Sequence, residues 1–250
     1  MKTTKIISAI VLVFLFAVSV IAQQTENQLW YSLKHTVKPE KLDEYRELMK
    51  NFTSACKEHN YPFTFYGFKS LGPEFYYFYP VKDYNTIEEL SSAAWEIVPK
   101  LEPDWASKFF GSLENWEGFF IRSIDSLSYN PENGPAIGEE LVYAEWWVSY
   151  HKTLTARQYR NAFREGVERQ KKANLEYPIG RFRGDIGMNN PVFITVFWGK
   201  NVADLYAHLN KIWENLGEEV QGMINDLEST TSKSKKIPFW YQKEFSYSSE

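Results

Sequence analysis

Apolar positions along this chain alternate between two spacings, two residues and three to four residues. The first run, Leu29-Trp30-Tyr31-Ser32-Leu33-Lys34-His35, reads as a strand over 29–36. Pro39 then stands where a first helical turn tolerates proline. Leu42, Tyr45, Met49, Phe52, Cys56 and His59 follow on one helical face, and Tyr61-Pro62 ends it. Phe63 to Lys69 and Phe75 to Val81 read as a hairpin around Leu71-Gly72-Pro73-Glu74. Helical spacing returns over 86–98, breaks at Pro99 and Pro103, and resumes to about 115 before a strand over 118–128.

The same order then recurs. Tyr129 to Gly138, with Asn130-Pro131 and Asn133-Gly134-Pro135, has linker composition. Beyond it the pattern predicts a strand over 141–151, a helix over 155–174 with Thr155 as N-cap, and strands over 179–186 and 192–198. Helices over 201–227, a polar loop from Ser229 to Lys236, and a strand over 237–246 complete it. Landmarks match between the halves. Trp30 and His35 recur as Trp146 and His151, Tyr61-Pro62 as Tyr177-Pro178, and Trp95-Glu96 as Trp213-Glu214. Each histidine precedes its proline by 27 residues. The expected fold class is α+β, with two βαββαβ units in one chain, at 23–130 and 139–250, joined by a linker at 131–138.

One such unit has helices on one face of its sheet and a bare apolar face opposite. Two units can bury these faces together around a shared interior. In element order, in the repeat, and in the segment Val192-Phe193-Ile194-Thr195-Val196-Phe197-Trp198-Gly199-Lys200, the chain resembles the dimeric α/β-barrel superfamily, with tandem ferredoxin-like repeats forming an intramolecular barrel. That superfamily includes antibiotic-biosynthesis-type monooxygenases, haem-degrading monooxygenases, chlorite dismutases and NIPSNAP-like proteins. The resemblance implies a fold more than an activity.

The amino terminus changes the expected location. Lys2 and Lys5, the apolar stretch Ile6 to Ile21, and Val20-Ile21-Ala22 before Gln23 fit a cleavable signal peptide over 1–22. The alternative, a membrane anchor, lacks length and a basic stop-transfer cluster. The expectation is therefore a secreted or periplasmic protein without stable membrane insertion. A net charge of −4, made more negative by loss of Lys2 and Lys5, argues against nucleic acid as a partner. Cys56 is the single cysteine, so no intramolecular disulfide forms. The fused repeat supplies what single-unit relatives obtain by dimerising, so a monomer is expected.

Candidate chemistry gathers in the second half. On strand 141–151, one parity gives Val142, Ala144, Trp146, Val148 and Tyr150, which suits packing under helices. The other gives Tyr143, Glu145, Trp147, Ser149 and His151, a mixed wall suited to a ligand, with Tyr31 and His35 at the matching places of the first half. His151 and Glu145 are the candidate catalytic pair, His151 as general base. The competing reading makes both histidines structural. Arg181 and Arg183 share a strand face and could pair with Glu145 or hold an anionic ligand; a structural ion pair is the alternative. The resemblance implies one further role: haem-using relatives take an axial histidine from a helix in this half, which points to His208. No zinc-type His/Cys cluster, nucleophile elbow or phosphate loop is present, so no metal site and no required cofactor are expected. Four functions remain: binding of a small apolar or aromatic molecule between the sheets, cofactor-independent oxygenation or isomerisation, haem binding, and an interaction protein with a filled barrel.

Overall fold

The computed structural model describes residues 27–152, 156–189 and 191–249. The expected signal peptide with its cleavage point, and the Thr155 cap, lie outside the described residues. Among the described residues, eight strands form a closed antiparallel barrel, and five helices pack on its outside. In chain order the elements are β1 (Leu29–Val37), α1 (Leu42–Glu58), β2 (Tyr66–Ser70), β3 (Glu74–Val81), α2 (Thr86–Ile97), α3 (Trp105–Ser112) and β4 (Leu113–Ser123). Then come β5 (Tyr143–His151), α4 (Ala156–Lys172), β6 (Ile179–Gly184), β7 (Val192–Gly199), α5 (Val202–Thr230) and β8 (Thr231–Tyr241).

Around the barrel the strands run β1-β3-β2-β8-β5-β7-β6-β4. The first four strands of the chain form one arc and the last four the other. Two short seams join them, at Phe68↔Tyr241 between β2 and β8 and at Arg122↔Arg183 between β4 and β6. Each seam spans three residue pairs, so the outer parts of β4 and β8 pair with a strand on one side only. The stretch expected as a linker bridges to the second arc, with Tyr129 paired to Ile179.

Because strand side chains alternate, each barrel strand has one face inside and one under helices. The inside holds Phe68, Tyr76, Phe78, Ile121, Trp146, Val148, Ile194 and Phe239. Outside, α1 presents Tyr45, Met49, Phe52 and Cys56 to Leu29, Phe75 and Tyr77. In the second half, Leu205, Leu209, Ile212 and Leu216 of α5 pack on Tyr143, Ile179 and Phe197. Each buried side chain of this size contributes about 1.5–3 kcal/mol. Burial pushes the Cys56 thiol up to about 12, as expected for a core thiol.

Two expectations need correction here. The polar stretch 231–236 is strand, not loop: Ser234 and Lys236 pair with Ser149 and Trp147. Lys233 and Lys236 stay in water, and Lys236 Nζ stands 3.7 Å over the Trp147 ring. The parity of β5 is also reversed. Ala144, Trp146 and Val148 point into the barrel, while Tyr143 and Trp147 pack with helix α5.

Candidate functional site

The larger cavity lies inside one end of the barrel and measures about 420 Å³. Every strand contributes to its wall. Trp30 of β1, Phe68 of β2, Phe78 of β3, Trp146 of β5, Phe182 of β6 and Trp198 of β7 supply most of the aromatic surface. Gln28, Asp125, Ser128 and Asn130 stand among the polar residues of the wall, the last three from the segment between β4 and β5. This size and lining match small-molecule pockets, which run from about 300 to 1,000 Å³.

The wall forms because Trp30, Trp146 and Trp198 fall on inward positions of their strands, while Val196 beside Trp146, and Gly180 beside Val196, are small and leave space. Toward the barrel centre, Trp146 packs on Phe78 at 4.9 Å and on Phe239 at 5.1 Å. Tyr76 meets Phe239 edge-on at 4.8 Å. Beyond them a charged plug fills the opposite end. Lys34 pairs with Glu74 at 2.7 Å and Glu117 at 3.4 Å, and Tyr76 donates to Glu74 at 3.1 Å. Burial, then the positive charge of Lys34, holds the Lys235 ammonium below its ordinary range. Within the cavity wall, Trp30 Nε1 and Ser123 Oγ are buried without a hydrogen-bond partner among the described residues. Buried donors of this kind are costly unless a ligand or water meets them.

A second, smaller cavity of about 80 Å³ lies outside the barrel, between the second arc and helices α4 and α5. Trp147, Ser149, His151 and Arg181 all line it. The sequence reading thus grouped four residues that do share a cavity, but placed them in the wrong layer.

The remaining candidates are structural neighbours of these spaces. Glu145 is buried and accepts from Tyr143 Oη at 2.8 Å, Trp147 Nε1 at 3.0 Å and Tyr206 Oη at 3.3 Å. It has no contact with Arg181, because β6 pairs with β7 and not with β5. Arg181 instead donates through Nη1 to the Leu127 carbonyl. Arg183 is exposed at the β4 seam. Tyr31 packs on Phe120 and Tyr79 on the helix side of β1. His35 is buried, with Nδ1 2.8 Å from Tyr45 Oη, which in turn bonds Tyr77 Oη at 2.9 Å. Burial lowers the His35 imidazole to about 3, so it is neutral. Burial also lowers His151.

His208 lies 4.6 Å from the Tyr177 ring and lines neither cavity. The space between the sheet and α4 and α5 is about 80 Å³, far below a pocket for a ligand of haem size, and His208 does not line it. The residues as arranged do not fit haem. The cavity wall inside the barrel, in contrast, was missed as a set, although Trp30, Phe78, Trp146 and Trp198 all stand on predicted strands.

No protein-family profile matches the chain, and no curated protein matches it. Solved structures do. A candidate monooxygenase from Lactobacillus acidophilus NCFM superposes with a TM-score of 0.58 at 7% identity, covering 86% of this chain and 94% of that one. An anthrone oxidase-like protein gives 0.56 at 9% identity, covering 87% and 92%. A chlorite dismutase variant from Candidatus Nitrospira defluvii, in complex with cyanide, gives 0.54 at 8% identity, covering 89% and 94%. At these identities the likeness is one of fold alone: a closed antiparallel barrel with helices packed on its outside.

Proposed function

We propose that this chain is an exported protein that binds a small planar aromatic molecule inside its barrel, between two arcs descended from one duplicated ferredoxin-like unit. The amino-terminal pattern of Lys2, Lys5 and Ile6 to Ile21 supports export. The matched Trp, His and Tyr-Pro landmarks support duplication. The observation that carries the binding reading is the 420 Å³ cavity walled by Trp30, Phe68, Phe78, Trp146 and Trp198. Flat rings gain most there from stacked and edge-on contacts with aromatic walls. Trp30 Nε1 and Ser123 Oγ favour a ligand carrying a carbonyl or hydroxyl oxygen at its edge. Aromatic ketones and quinones combine both properties.

Titration with a panel of naphthoquinones and hydroxyanthraquinones, followed by tryptophan fluorescence, tests this reading. Saturable quenching that disappears in Val196→Trp, which fills the cavity, is the expected result. Quenching that never saturates, or is unchanged in that variant, rejects it.

Similarity to proteins named as a monooxygenase and an anthrone oxidase-like protein supports a catalytic extension, cofactor-independent oxygenation of such a ligand. Oxygen uptake with the same panel separates a binder from an enzyme. His151 is the base that the sequence reading selected, yet it faces the smaller cavity, so His151→Ala should leave any turnover in the barrel intact. Haem of the chlorite-dismutase kind is tested by reconstitution: a Soret band lost in His208→Ala supports it, and protein that takes up no haem counts against it.

A further inference from the structure

The two halves differ most where His35 and His151 occupy matching places. In the first half the space beside the histidine is full: Tyr45 bonds the ring, and Phe109 packs edge-on at 5.5 Å. In the second half the corresponding space is the 80 Å³ cavity. Around it, His151 Nδ1 and Nε2, Gln170 Oε1 and Arg181 Nε are all buried without a partner among the described residues. These residues are 6%, 2% and 2% exposed.

Arg181 is the unusual member. Burial pulls its guanidinium down only to about 10, so it is charged at neutral pH. No carboxylate lies within 4.0 Å of it among the described residues; its neighbours include the Leu127 carbonyl, the Phe163 face, 4.4 Å from its central carbon, and Tyr159, near enough to interact with it electrostatically. The one carboxylate in the cavity lining, Glu228, is exposed. A buried cation without a counter-ion is costly, and such charges are ordinarily paired.

We propose that this cavity is a binding site for a small monovalent anion, held by Arg181 and completed by His151 and Gln170. A volume of 80 Å³ has room for roughly two or three waters, hence for nitrate, formate or a halide but not for an aromatic ligand. The neutral imidazole supplies one N–H donor, and the Gln170 amide turns its NH₂ inward by a simple flip. The site is independent of the barrel cavity, so it stands whether or not that cavity binds an aromatic molecule.

Crystals soaked in bromide give the direct test. An anomalous peak within hydrogen-bonding reach of Arg181 Nε is expected; water alone in the cavity overturns the proposal. In solution, nitrate at constant ionic strength should raise the melting temperature saturably, and Arg181→Gln should weaken the response about tenfold or more. An equal rise in Arg181→Gln overturns the site. Should that variant fail to fold, Gln170→Leu replaces it with the same expected direction, and the bromide result on the unaltered protein decides alone.

Discussion

Trp146 and Phe78, one from each arc of the barrel, pack 4.9 Å apart with their rings tilted by 38°. This contact closes the inner side of the aromatic cavity and ties β5 to β3 across the interior. Trp146→Ala should therefore destabilise the fold by about 3–5 kcal/mol, as large-to-small changes at buried aromatics do. Urea unfolding measures the loss. A change below about 1 kcal/mol would mean that the two arcs do not depend on this contact.

The Val196→Trp variant should act differently. Val196 is buried on β7 in the cavity wall, where added rings have empty volume to occupy. Stability should change by less than about 2 kcal/mol, below the upper range for overpacking, while quinone affinity falls at least about tenfold. Calorimetry of both forms separates these effects.

Acid should destabilise the protein through its histidines. The folded-state value of His35 lies at about 3, below the ordinary 6.5, so the unfolded chain binds the proton more readily. Stability is fully present above the unfolded value and is lost as pH falls toward the folded one, by roughly 3 kcal/mol between pH 7 and pH 4. His151 and His208 are lowered in the same direction and add to the slope. Urea midpoints against pH should flatten in His35→Phe, although that variant also loses the Tyr45 hydrogen bond and starts from a lower stability. An unchanged slope would remove His35 as the source.

Gly217, with φ of +74° and ψ of +160°, breaks α5 into two helical stretches at a kink, and a Cβ there would stand 2.8 Å from Arg169 Nη1. Gly217→Ala should cost about 1–3 kcal/mol through the left-handed backbone alone. Thermal unfolding checks it, with Gly222→Ala as a control, since nothing lies within 4 Å of a Cβ at Gly222.

Much of the barrel was legible in the sequence because strands and helices alternate with clear periods. The order of elements followed from it. The inward face of β5 did not. Both faces of that strand are buried, one in the barrel and one under α5, so neither parity is plainly polar. Glu145 and His151 suggested a ligand wall, yet Tyr143, Trp147 and Tyr206 satisfy Glu145 in the helix layer. The 231–236 strand was hidden for another reason. Its lysines and serines pair by backbone with β5 while their side chains remain exposed, so hydropathy carries no strand signal there.

The central claim is that the barrel interior is a ligand site. A crystal structure of the protein soaked with the tightest-binding quinone tests it most directly. The account predicts planar density between Trp30 and Trp198, with a ligand oxygen within hydrogen-bonding distance of Trp30 Nε1 or Ser123 Oγ. Side chains filling the cavity, or the quinone bound only on the outer surface, would contradict it.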